Sequence, residues 1–252
     1  MPPVSDLALA GVGSALAGAI NAVAGGGTLV SFPILVGLGV PSLRANVTNT
    51  ISLCPGYFSG AYAQRSQLGS SRNRVFKATP IAALGGLAGS VLLVVTSESL
   101  FKAVVPWLII CASLLLGFQD RIKSLVFGHR GSDHRDVPPG LAVGVFLSAV
   151  YGGYFGAGLG IMVLAVLGLV LDDDIKTLNA LKTWLSSAIN VVAAAFLCFS
   201  GKAEWAFVLV MAPSSLVGGH IGGIFATKMN PRAMRAVVIS FGLAVAMKML
   251  LF

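Results

Sequence analysis

The sequence predicts an all-α integral membrane protein with an inverted-topology repeat. Each half is a Gly-broken two-armed helical segment followed by three transmembrane helices. Three observations carry this reading. The 252 residues are 56% hydrophobic and only 10% charged, with a mean hydropathy of +0.89. Apolar stretches that approach or exceed the ~20 residues needed to cross a bilayer recur along the chain. Glycine-rich interruptions recur at a fixed distance. A soluble domain is about 25% charged, so this chain cannot clothe a water-facing surface. An ordinary soluble enzyme, a disordered chain and a disulfide scaffold are excluded.

In order along the chain, the apolar stretches fall at 7–24, 28–40, 46–64, 75–96, 101–118, 139–157, 160–171, 178–200, 204–226 and 233–252. Met1-Pro2-Pro3-Val4 lacks the positive region of a signal peptide, so the first stretch is expected to be retained. The stretches 28–40 and 160–171 are too short to span alone at about 1.5 Å per residue. Each follows a glycine-rich break, Ala24-Gly25-Gly26-Gly27 and Gly156-Ala157-Gly158-Leu159-Gly160. Short Gly-interrupted segments at matching places in two halves point to a transporter binding site. Cys54, Cys111 and Cys198 lie inside apolar stretches without metal-ligand spacing and read as small hydrophobes.

Sliding the chain by 133 residues superposes the halves without a gap. It pairs Gly25 with Gly158, Gly27 with Gly160, Asn46 with Asn179, Thr50 with Thr183, Pro80 with Pro213, and Gly85, Gly86 and Gly89 with Gly218, Gly219 and Gly222. The predicted organisation is a first repeat over 1–118, a basic cytoplasmic linker over 119–137 and a second, inverted repeat over 138–252.

Charge sets the expected orientation. The formal net charge of +8 would suggest nucleic acid in a soluble protein. Here the cations cluster in loops, where an excess marks the cytoplasmic side. Arg65, Arg72, Arg74 and Lys77 fall in 65–77, Arg121, Lys123, Arg130 and Arg135 in 119–137, and Lys228, Arg232 and Arg235 in 228–235. The loops 97–102 and 201–205 carry one Lys each and fall outside, as do both termini. A two-armed segment adds no net crossing, so three crossings per half invert the second repeat.

The carboxylates all map to loops or helix ends, Glu204 included, and none sits within a spanning segment, which argues against a multivalent cation as cargo. The membrane stretches carry Gly, Asn, Thr, Ser and Lys182, which suit an anion. A helix that begins within the membrane presents unpaired N–H groups and a partial positive charge. Glycines let a ligand approach that backbone closely. The expected anion-binding groups are therefore Gly25, Gly26, Gly27 and Thr28, facing Gly158 and Gly160. Asn46, Asn49 and Thr50, with Asn179, Lys182 and Thr183, join them on two helix faces. Lys182 either neutralises the anion or snorkels toward Lys176. Gly85, Gly86, Gly89, Gly218, Gly219 and Gly222 read as helix-packing positions. Without a membrane carboxylate, coupling falls to the substrate's own protonation, to His220 or to the membrane potential.

The segments from Asn21 through Gly25-Gly26-Gly27-Thr28 to Pro33, Leu38-Gly39-Val40-Pro41 and Ala45-Asn46-Val47-Thr48-Asn49-Thr50 resemble the sulfite exporter TauE/SafE family. The stretch Tyr151–Gly160 resembles that family's second glycine motif. The resemblance covers essentially the whole chain. It implies an inner-membrane secondary transporter of sulfite, sulfonates or related anions, with no cofactor and no metal. Its implied partners are a small anion and the bilayer, with a homodimer as a further candidate and nucleic acid excluded. Asp172-Asp173-Asp174 departs from the family pattern, and reads as an acidic mouth or a solvated turn.

Two other readings stand beside the carrier. An anion channel would use the same Gly-lined site. An intramembrane serine protease would pair Ser59 with His220, but no Gly-x-Ser-Gly motif occurs in the chain, and a protease leaves the repeat unexplained.

Overall fold

The computed structural model describes residues 2–23, 25–118, 120–121, 137–171, 173–225 and 231–251. The described residues form α-helices joined by short turns, without a strand. In chain order they are α1 (Val4–Val23), α2 (Thr28–Gly37), α3 (Ser42–Ala63), α4 (Arg72–Val95), α5 (Glu98–Gly117), α6 (Pro139–Tyr154), α7 (Leu159–Val170), α8 (Ile175–Leu197), α9 (Trp205–Phe225) and α10 (Pro231–Leu251). A 3₁₀ turn, Arg65–Ser71, links α3 to α4. Helices α3, α4 and α5 begin at 42, 72 and 98, and α8, α9 and α10 each begin 133 residues later. Five stretches are long and apolar enough to cross a membrane among the described residues, in α1, α4, α5, α8 and α9.

Several helices start earlier than their apolar stretches because the first turn is polar. Ser97 caps α5 by accepting from the Leu100 N–H at 3.3 Å, and Asp174 caps α8 by accepting from Lys176 and Thr177 at 2.8 and 3.0 Å. These acceptors satisfy donors that a helix start leaves open. Accordingly Arg72, Arg74 and Lys77 lie on α4 rather than in a loop, and Lys102 lies on α5. Most of the 119–137 linker, with Lys123, Arg130 and Arg135, lies outside the described residues, as does Lys228.

The acidic run has structural partners. Asp173 pairs with Arg74 across the α4 and α8 starts. The Asp174 carboxyl is held below the usual carboxylate range, chiefly by the Thr177 backbone N–H and then by its hydroxyl. Asp173 is thus ion-paired and Asp174 is an exposed helix cap; Asp172 lies outside the described residues.

Helix contacts come in exchanged pairs. Helix α1 packs along α9, and α6 packs along α4; α3 lies on α8, and α5 on α10. The packing glycines make these contacts possible. A methyl group on Gly218 would sit 1.9 Å from the Ala15 carbonyl oxygen, and one on Gly89 2.0 Å from that of Val150. Gly86 abuts Ile189 while Gly219 abuts Gly56, two contacts related by the same 133-residue offset. Small residues let helix backbones approach where lipid offers no hydrophobic drive for association.

Burial is inverted relative to a soluble protein. Asn46, Thr48, Asn49, Thr50 and Ser52 on α3 are buried, as are Lys182, Thr183, Ser186 and Asn190 on α8. Phe76, Trp107, Phe199 and Leu209 are exposed. A bilayer is the solvent that suits such a surface.

Candidate functional site

The two glycine breaks are built alike. After α1 the chain turns through Gly25 at φ +78°, and before α7 it turns through Gly156 and Gly158 at φ +76° and +74°. Left-handed backbone is where glycine replaces side-chain-bearing residues at no steric cost. Gly25 and Gly158 occupy corresponding positions of the two halves.

The breaks meet. A methyl group on Gly25 would lie 3.1 Å from the Gly160 Cα, and one on Gly160 would lie 3.2 Å from the Gly25 Cα. The Lys182 stem lies over the same point, Cδ and Cε at 3.5 and 3.8 Å from the Gly160 methyl position. Lys182 is only 4% exposed, so it is packed into the break and does not snorkel. Gly26 and Gly158 both lean on α5, against Leu116 and Ala112. Above the junction Phe32 meets Phe155 edge-on at 5.4 Å, and Phe101 stands 6.4 Å from Phe155.

A polar chain runs from the first break into α3. Asn21 Oδ1 accepts from the Gly27 N–H at 2.7 Å. Ser31, one turn into α2, donates to the Asn49 Oδ1 at 2.5 Å and lies 3.3 Å from the Gly27 carbonyl oxygen. Asn46 Nδ2 donates to the Tyr154 carbonyl at 2.8 Å, which ties α3 to the end of α6. Among the described residues, two buried amide atoms are left without a protein partner, Asn21 Nδ2 and Asn46 Oδ1. Both amide orientations are fixed by backbone partners, so the open groups are one donor and one acceptor. At the second break the Tyr151 hydroxyl donates to the Ala157 carbonyl at 2.7 Å.

The structure thus brings Gly25, Gly160 and Lys182 into direct proximity and wires Gly27 and Asn49 together through Ser31. It does not treat the other expected residues alike. Thr50 and Thr183 spend their hydroxyl protons on the Asn46 and Asn179 carbonyls of their own helices, at 3.0 and 2.8 Å. Asn179 is half-buried and donates to Gln64 Oε1 at 3.0 Å, beyond the end of α3. The Gly27 N–H is already taken by Asn21. His220 is exposed on α9, apart from the buried polar groups.

Asn21, Ser31 and Tyr151 were absent from the expected site. A signal for Asn21 existed: it is an isolated amide in an apolar stretch, one turn before a glycine run, where an unpaired amide is costly. No Asp or Glu is buried among the described residues, whereas Lys182 is. The junction is therefore a close glycine-to-glycine contact with the stem of a buried lysine against it.

The family sequence model described as Sulfite exporter TauE/SafE matches residues 9–249. The chain is similar to the probable membrane transporter protein ORF9 of Sinorhizobium sp, 23% identical over 97% of this chain and 92% of that protein. A probable membrane transporter protein of Haemophilus influenzae is 28% identical over 91% of this chain and 89% of its own. The probable membrane transporter protein YfcA of Escherichia coli K12 is 23% identical over 93% and 86%. No solved structure gives a match. With all ten described helices falling wholly or mostly inside the matched segment, the chain belongs to the sulfite exporter TauE/SafE family and is a multi-pass membrane transporter, not an enzyme.

Proposed function

We propose that the chain is a secondary transporter of a small oxyanion of the sulfite and sulfonate class, working by alternating access between two inverted repeats in the inner membrane. The observation that carries the reading is the contact between Gly25 and Gly160 with the buried Lys182 stem against it. The anion sits beside this junction. Lys182 supplies the charge, and backbone N–H groups around Gly26, Thr28, Gly158 and Gly160 supply hydrogen bonds, with the Asn21 and Asn49 side chains alongside.

The exchanged helix contacts and the common 133-residue offset support a two-fold relation between the halves. Orientation, with both termini outside, rests on the Lys and Arg distribution. Ser71 is buried, so cysteine labelling belongs at exposed Ser66, on the expected cytoplasmic side, and at exposed Ser99 on the other. Labelling of Ser66→Cys by an impermeant reagent from outside intact cells would overturn the orientation.

Flux in proteoliposomes tests the function. Saturable, gradient-coupled movement of sulfite or a sulfonate, with carboxylates of similar size excluded, is the expected result. Ohmic conductance would replace the carrier with a channel, and no flux of any sulfur oxyanion would remove the substrate class. Because His220 is exposed, His220→Gln is expected to leave flux and its pH-gradient dependence unchanged.

A further inference from the structure

A groove lies far from the glycine junction in character, between α1, α2, α5 and α10. Its volume is about 710 Å³, within the about 300–1,000 Å³ typical of ligand pockets. Its floor is apolar, formed by Pro33, Ile34, Phe241 and Val245, and Lys102 and Lys248 belong to the same lining.

The two lysines stand at one level. Gly242 of α10 lies against Ser113 and Ile109 of α5, while Gly117 lies against Ile239. The helices therefore run antiparallel, and the early α5 residue Lys102 comes level with the late α10 residue Lys248. Phe241 is seven residues before Lys248, about 10 Å deeper at 1.5 Å per residue. Pro33 likewise precedes the α2 end, which joins the groove through Gly37 and Leu38. The groove thus has a cationic end at the helix termini and an apolar end toward the middle of the helices.

No acidic side chain lines it among the described residues. Glu98, one turn before Lys102, directs its two carboxylate oxygens at the Leu43 N–H, at 3.2 and 3.1 Å. Lys102 and Lys248 are both exposed, on long stems that keep an ammonium at a membrane interface while the methylenes follow apolar surface.

We propose that this groove binds one anionic phospholipid, its phosphate between Lys102 and Lys248 and an acyl chain along the Pro33–Phe241 floor. The charge at one end and the apolar run at the other match an amphiphile with a single negative headgroup. A small oxyanion has no use for the floor, and a neutral lipid has none for the lysines. The proposal is independent of the anion site at the glycine junction.

The test is lipid titration of the detergent-purified full chain, read by native mass spectrometry, with phosphatidylglycerol against phosphatidylcholine of the same acyl chains. The wild type is expected to prefer phosphatidylglycerol. Lys102→Gln/Lys248→Gln together should weaken it about thirtyfold, from the usual contribution of a lysine near anionic headgroups. The distant exposed-lysine variant Lys176→Gln should not. Val245→Trp, which fills the floor and keeps both charges, should also lose the lipid, while size-exclusion profiles report that each variant folds. Equal binding of the two lipids by the wild type would overturn the proposal. So would an unchanged preference in the double lysine variant, displacement of phosphatidylglycerol by soluble glycerol phosphate, or a groove occupied by a second copy of the chain, seen as a dimer that the Val245→Trp variant breaks.

Discussion

At the first break the surroundings are neutral: Asn21 holds the Gly27 N–H, and Ser31 hands the connection on to Asn49. At the second break the position matching Asn49 is Lys182, and a tyrosine hydroxyl closes the turn instead of an amide. The position matching Tyr151 in the first half is Gly18, whose absent side chain admits the Ser215 carbonyl oxygen. The backbone device is shared and the chemistry is divided. The first break is surrounded by amides, and the second has a buried lysine against it. On the proposed reading, a single anion between two identical arms would meet two cations or none, and two ammoniums close together repel each other.

Substitution at the corresponding glycines Gly27 and Gly160 should separate the arms most sharply. A methyl group on Gly27 would lie 2.1 Å from the Ala17 carbonyl oxygen and 2.8 Å from the Asn21 Cγ. Backbone cannot retreat that far, so the cost should exceed the about 1–3 kcal/mol of ordinary overpacking. Gly27→Ala is expected to abolish the monodisperse peak of detergent-extracted protein, while Gly160→Ala, whose nearest contact would be 3.2 Å, should retain it. Equal yields of both would mean that the breaks are not packed as described.

Charge comes next. Lys182→Met should weaken sulfite binding about tenfold to hundredfold, the range for losing a hydrogen bond to a charged group. Asn49→Ala should weaken it less, because Asn49 acts from behind Ser31. Calorimetry on purified protein ranks the two, and the reverse order would shift the site toward the first arm.

Asn46 and Asn179 correspond by sequence, and symmetry alone would have their alanine variants act comparably. Their surroundings are unequal. Asn46 is fully buried, so Asn46→Ala takes from the Tyr154 carbonyl an enclosed donor and should cost about 1–3 kcal/mol. Asn179→Ala loses a half-buried bond to Gln64 and should cost under about 1 kcal/mol. Thermal unfolding in one detergent compares them, and matching midpoints would restore the symmetric expectation.

The smallest effect is expected at Tyr151→Phe, which removes only the hydroxyl bond to Ala157, about 1 kcal/mol. Its thermal midpoint should fall slightly with flux retained. Loss of flux at an unchanged midpoint would give the hydroxyl a direct part in transport.

Much of this architecture was legible in the residues. Runs of apolar side chains near the length of a bilayer locate helices, and glycine runs locate breaks, because both are local properties. The 133-residue offset predicted which elements correspond, and α3, α4 and α5 begin at that distance from α8, α9 and α10. The proximity of three residues was legible: Gly25, Gly160 and Lys182 were expected together and are adjacent.

Polar pairing was decided elsewhere. Asn46 reaches Tyr154 across 108 residues, Asn179 reaches Gln64 across 115, and Ser14 reaches the Met211 carbonyl across 197. Periodicity says which face a side chain shares, but a hydrogen bond needs a partner delivered by another helix at one depth and one angle. The same reason explains why Lys182 is buried rather than snorkelled, why Asp173 pairs with Arg74 rather than facing an anion, and why Asn21 holds Gly27. By itself the sequence determined the membrane class, the helices and the two breaks. Only helix-on-helix packing decided which buried amide atoms find a protein partner, because the partner, as at Asn46, comes from a distant part of the chain.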